Sequence, residues 1–184
     1  MVNTAVLLLA LASAPDDTSR TGPDRELAIN AGFGFSSYDD KPKATSAGFY
    51  GEVDYIQKAF EWLYPKAYVG LLLSGANRKS CNGTTPCDVA NRIGFAGLKA
   101  RLIAPFDYVK PYVEAGGGVS IGTITTRIGG LYENPNRHVF GHLAVALGLA
   151  IGKAHQVDVG FNFLIHPSRD QSAGGITLGV RIPF

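Results

Sequence analysis

Near its C-terminal end the chain reads IHPSRDQS, which sets His166 two residues before Ser168. An imidazole that takes a serine's proton makes a nucleophile for acyl carbon, provided an acid orients the imidazole. That third member is missing: no Glu follows Ser168, and Asp170, the one later acid, sits almost against the pair in sequence. A second pair, Cys81 and Cys87 in SCNGTTPCD, brackets Asn-Gly and Pro. In an oxidising compartment these two thiols are expected to close a small disulfide loop. They are not half of a zinc site, which takes about four ligands, because no other Cys exists and the four His are not spaced as a partner pair. Gly-x-Ser-x-Gly, a phosphate-cradling glycine loop and His-Glu-x-x-His are all absent. GFGF and GGG precede no helix, so they read as sheet geometry. No cofactor or metal is expected.

Composition narrows the class. With 23 Gly and 17% charged residues, the 184-residue chain is glycine-rich and charge-poor against averages of about 7% and about 25%. A net charge of +2 without a Lys/Arg run gives no footprint for nucleic acid. At the N-terminus, Val6 to Ala12 is an apolar run of signal-peptide length, followed by Ala12-Ser13-Ala14, a small-x-small cleavage pattern. Residues 1–22 are therefore expected to be an export signal and leader, and 23–184 one β-barrel domain. The run is too short to span a membrane as a helix.

The elements that must position these residues are strands. Scattered glycines after position 30 argue against helices, and apolar residues alternate instead. Eight segments show it: ELAINAGFGF, AGFYGEVDY, KAYVGLLLS, FAGLKARLI, YVEAGGGVSIG, HVFGHLAVALGLAI, VDVGFNFLIH and the terminal GGITLGVRIPF. Soluble strands run to about five or six residues, whereas a tilted strand crossing a bilayer needs about nine to eleven, and these segments have the longer length. Connectors alternate too. IQKAFEWLYP, APFDYVKP and GKAHQ are compact, whereas SSYDDKPKATS, GANRKSCNGTTPCDVANR, TTRIGGLYENPNR and PSRDQSAG are polar. Phe60, Trp62, Tyr64, Phe106, Tyr108 and Phe184 cluster at the compact end, as an interfacial aromatic girdle would.

Over roughly residues 24–184 this pattern resembles the small eight-stranded outer-membrane barrels of the OmpA/OmpX type. The resemblance implies an all-β, eight-stranded antiparallel up-and-down transmembrane β-barrel in a bacterial outer membrane. It also implies that GGITLGVRIPF closes against ELAINAGFGF, and that the terminal Phe184 is a recognition signal for the barrel-assembly machinery. Outer-membrane lipid and lipopolysaccharide would surround a monomer.

With the apolar face toward lipid, parity puts Glu26, Glu52, Asp54, Lys99, Arg101, Glu114, His138, His142, Asp158, His166 and Arg181 in the lumen. Charges there need partners. Lys99, Arg101 and Arg181 are expected to pair with Glu52, Asp54, Glu114 and Glu26, filling the barrel. The reading that follows is a non-enzymatic structural or surface-interaction protein of the cell envelope. Two alternatives remain open. His166 and Ser168 match the His-x-Ser pair of PagL-type lipid A deacylases, although the Glu of that family's triad has no counterpart. A narrow pore is the other, since lumenal Gly32, Gly34, Gly48, Gly116, Gly118, Gly148 and Gly160 leave room. A soluble lipocalin-type barrel would turn its apolar side chains inward instead.

Overall fold

The computed structural model describes residues 25–38, 44–75, 79–81, 85–104, 106, 108–128, 131–132, 138–152, 156–169 and 171–184. The expected export signal lies outside these residues. Ten strands form one antiparallel sheet: β1 (Arg25–Tyr38), β2 (Ala44–Gln57), β3 (Leu63–Gly75), β4 (Lys79–Cys81), β5 (Thr85–Ile103), β6 (Val109–Ile128), β7 (Leu131–Tyr132), β8 (His138–Ile151), β9 (Val157–His166) and β10 (Gln171–Pro183). Eight of them close into a barrel, in the order β1, β2, β3, β5, β6, β8, β9, β10, with β10 returning to β1. The short β4 and β7 flank β5 and β6 beyond the rim.

Closure depends on the last strand. β10 pairs with β1 from Glu26↔Pro183 to Tyr38↔Gln171, and the Phe184 amide donates to the Arg25 carbonyl at 3.0 Å. The terminal residue is thereby held, and the barrel has no open edge between its first and last strands. At this same end the strands are joined by compact turns. In one, the amides of Ala59 and Phe60 both donate to the Leu63 carbonyl. Another begins at Gly152, whose φ of 102° suits glycine and few other residues.

The two faces separate as alternation dictates. Ile29, Phe33, Val69, Leu71, Val119, Leu143, Leu147, Ile176, Leu178 and Val180 are exposed on the outside, while Glu52, Asp54, Lys66, Lys99, Arg101, Glu114, Asp158 and Arg181 point inward; Arg92, level with the polar-connector end of β3, is exposed. In water such a surface would aggregate; against hydrocarbon it is the stable arrangement. The girdle at the compact-turn end holds Phe60, Trp62, Phe106, Tyr108 and Phe184, all exposed, with Phe60 and Trp62 stacked at 5.8 Å. Tyr64 is a correction to the expected girdle. It shares inward parity with Lys66 and Tyr68, and it is buried in the lumen against Ala28, Ile56, Ile103, Tyr112 and Ala150.

The polar connectors contain strand as well as loop. Within GANRKSCNGTTPCDVANR the backbone forms β4 and the N-terminal part of β5, and TTRIGGLYENPNR contributes the end of β6 and all of β7. β5 and β6 stay paired as far as Cys87↔Ile128, well past the last barrel contact of β3 at Asn91. Thr and Val suit strands, and hydrogen bonds carried up from the barrel extend them into stretches that hydropathy alone reads as loop.

Candidate functional site

The lumen is the only place among the described residues where many chemically active side chains converge, and it is layered. At the compact-turn end sits the apolar cluster around Tyr64 and Tyr112. Above it lies a charge network. Lys66 Nζ is 3.0 Å from both Glu114 carboxylate oxygens, 2.9 Å from Asp54 Oδ2 and 3.6 Å from Glu52 Oε1. Lys99 Nζ donates to Glu52 at 2.8 and 2.9 Å. Arg101 donates from Nε to Glu114 at 2.6 Å and from Nη1 to Asp158 at 3.0 Å, with its guanidinium 3.9 Å from the centre of the Tyr112 ring. Arg181 reaches Glu26 at 3.1 Å and Asp158 at 3.4 Å. Asn30 completes the set, donating to Asp54 at 2.7 Å.

Each expected pairing partner is therefore in the network. Lys99 takes Glu52, Arg101 takes Glu114, and Arg181 takes Glu26; Asp54 pairs with Lys66 instead of one of the three expected cations. Lys66 was missed because the third segment, KAYVGLLLS, opens on it. Counting parity back from Tyr68 would have placed it inside. Fully buried ion pairs gain little net stability, but losing one partner leaves a bare charge and is expensive. The network therefore ties β1, β2, β3, β5, β6, β9 and β10 into one arrangement.

Above the charges is an aromatic layer of Tyr50, Tyr68, Leu72, Phe95 and Leu164. Tyr50 donates to Glu52 at 2.6 Å, and Lys99 lies 4.2 Å from the centre of the Tyr68 ring. Here an expectation fails. The lumenal glycines do not leave room; they accept neighbours. The Tyr112 ring lies on Gly148 and Gly160, and an added Cβ on Gly32 or Gly116 would collide with the backbone of the next strand.

The uppermost layer is uncharged. Tyr68 Oη and His142 Nε2 share a 2.5 Å hydrogen bond, His142 Nδ1 and Ser120 Oγ one of 2.8 Å, and Ser120 Oγ and His166 Nε2 one of 3.1 Å. On the other side Ser36 and Ser46 are bonded at 2.6 Å, Ser46 donates to Ser74 at 2.9 Å, and Asn91 donates to Ser36 at 2.5 Å. His166 is thus fully buried with Ser120 as its serine, whereas Ser168 is exposed on a single 3-10 turn, Pro167–Arg169. The sequence pair is not brought together as a nucleophile and base. Ser120 was missed because its partners come from β8 and β9 and leave no local spacing to read. Asp170, and the side chain of His138, lie outside the described residues. So do the Cys81 and Cys87 side chains; the backbone register seats Cys87 opposite Lys79 and Cys81 opposite Thr85. Among the described residues no three His, Cys, Asp or Glu side chains are grouped to hold a metal ion.

No protein-family model and no curated protein matches the chain. Solved structures do. Neisserial surface protein A (NspA) superposes with a TM-score of 0.58 at 16% identity, covering 90% of this chain and 100% of that one. Ail, the attachment invasion locus protein of Yersinia pestis, gives 0.51 at 16% identity over 89% and 100%. The N-terminal β-barrel domain of Pseudomonas aeruginosa OprF gives 0.52 at 12% identity over 88% and 100%. The chain has the fold of the small eight-stranded outer-membrane barrels. At these identities the likeness carries the fold alone, and roles have to come from this chain's own residues. Within that fold, the filled lumen and the strands that rise beyond the rim are the two features to explain.

Proposed function

We propose that this chain is a bacterial outer-membrane barrel whose work is structural and whose contacts are made at the cell surface. One observation carries the reading. β5 and β6 continue beyond the barrel as a paired blade flanked by β4 and β7, so a surface feature is pre-ordered instead of being left to free loops. Ordering before contact lowers the entropy cost of binding. Below the blade, the apolar belt fits outer-membrane lipid and lipopolysaccharide, and the paired terminal strand ending in Phe184 fits recognition by the assembly machinery. A disulfide between Cys81 and Cys87 would stiffen the blade further.

Charge suggests what the blade meets. Across 76–92 and 123–137 the sequence holds Arg78, Lys79, Arg92, Arg127 and Arg137 against Asp88 and Glu133. A basic surface fits an anionic partner. A solved complex of Ail contains the heparin analogue sucrose octasulfate, which makes that compound a suitable probe. The test replaces 76–90 and 124–137 by short Gly/Asn turns and compares binding of sucrose octasulfate by the two folded barrels. Salt-sensitive binding that disappears with the blade is the expected result; equal binding by both, or none by either, overturns the reading.

The alternatives lose support. A deacylase needs a nucleophile and base in contact at a lipid-accessible face, and here His166 is enclosed and bonded to Ser120. A pore needs a continuous polar path, and both the apolar cluster and the paired charges lie across it. Substituting His166 and Ser168 should leave acyl chains on lipid A unchanged, and planar-bilayer recordings should show no steady conductance.

A further inference from the structure

Most polar side chains in the lumen spend their hydrogen bonds on one another, and the exceptions in the uppermost layer are two amides and the Nδ1 of His166. Gln171 is 2% exposed, yet neither its Oε1 nor its Nε2 has a partner. Asn91, fully buried, gives its Nδ2 to Ser36 and leaves Oδ1 unmet. More than about nine in ten buried polar groups are satisfied in folded proteins, and leaving one bare costs about 1–3 kcal/mol. A leucine at 171 would avoid that cost, so the amide is an unfavourable choice unless something meets it.

Register brings these groups to one end of the lumen. Gln171 is opposite His166 on β9, and Ala173, the next inward residue of β10, is opposite Ser36, the acceptor of Asn91. Below them Leu72, Leu164, Tyr50 and Phe95 form an apolar floor. Phe140 stands edge-on to His166 at 4.9 Å. No described Asp, Glu, Lys or Arg is buried in the lumen above that floor. What is unmet is one amide able both to donate and to accept, the His166 Nδ1 opposite it on β9, and one further acceptor, Asn91 Oδ1. A hydroxyl group satisfies both roles at once, and an ion would find no counter-charge.

We propose that this end of the lumen is a binding site for a small neutral hydroxylated compound, a sugar or polyol, held by the Gln171 amide and Asn91 Oδ1. Charged analogues are excluded, because entry would strip them of water without offering an ion pair.

The test uses the full barrel in detergent micelles with nitrogen-15-labelled side-chain amides. Glycerol and glucose are titrated separately, and lactate serves as the charged control. The expected result is saturable shifts of the Gln171 and Asn91 amide signals in the millimolar range for a neutral probe and none for lactate. Gln171→Leu keeps the shape of the site and should leave the boiled-against-unboiled gel shift intact, while weakening probe binding by about tenfold or more. No saturable shift with either probe would overturn the proposal and leave ordered water as the partner of these amides. Shifts unchanged by Gln171→Leu, or equal shifts with lactate, would overturn it as well.

Discussion

Lys66 is the residue on which the lumen network most depends. Its ammonium faces Asp54, Glu114 and Glu52 at 2.9, 3.0 and 3.6 Å, and its side chain is 2% exposed. Lys66→Met keeps the length of the stem and removes the charge. Glu52 would still hold Lys99, and Glu114 would still hold Arg101. Asp54 would be left with only the Asn30 amide. The perturbation therefore strands one buried carboxylate, a loss of about 3–5 kcal/mol. With a urea slope of about 2 kcal/mol/M, the unfolding midpoint should fall by roughly 2 M. Trp62, the one tryptophan, sits exposed in the girdle and reports unfolding by fluorescence in lipid vesicles. Adding Asp54→Asn removes the stranded charge, so the double variant should regain about 2 kcal/mol over the sum of the singles. A midpoint shift below roughly 0.5 M for Lys66→Met, or strict additivity in the pair, would refute the claim that this network locks the barrel.

Three further outcomes follow from the two faces. Gly97→Ala should impair assembly, since its Cβ would lie 2.8 Å from the Gly118 Cα and 2.6 Å from Tyr68 Oη; yields of the compact unboiled band measure this. Gly94→Ala, on the lipid side with nothing nearer than 3.8 Å, should change stability by no more than about 0.5 kcal/mol in the same urea assay. Leu147→Lys, on the outer face of β8, should cost about 2–4 kcal/mol of unfolding free energy in vesicles.

Strand number, facing and closure were legible in the sequence because each rests on alternation, which is local. Ile176, Leu178, Val180 and Ile182 announce an outward face whatever they meet, and GGITLGVRIPF indeed pairs with ELAINAGFGF. Partners inside the lumen were legible only as a pool of charges. Which cation meets which carboxylate depends on register between strands far apart in sequence, as with Lys66 and Glu114. The His166–Ser168 spacing carries no geometry for the same reason: proximity along the chain says nothing once Pro167 starts a turn and β9 ends. Tyr64 was read by its company of aromatics, but its parity, shared with Lys66, decided its side. The extent of the blade was not legible, because Thr, Asn, Asp and Arg dominate 85–92 and 123–128 and leave only Val89, Ile124 and Ile128 to mark an alternation.

The most direct test of the account is heat-modifiability. The chain is expressed with its N-terminal segment, outer membranes are isolated in detergent, and boiled and unboiled samples are run side by side. A closed barrel with its apolar face in lipid should migrate as a compact band from the outer-membrane fraction and shift on boiling. Soluble protein with no membrane association and no shift would contradict the outward apolar face, and with it the whole reading of the lumen.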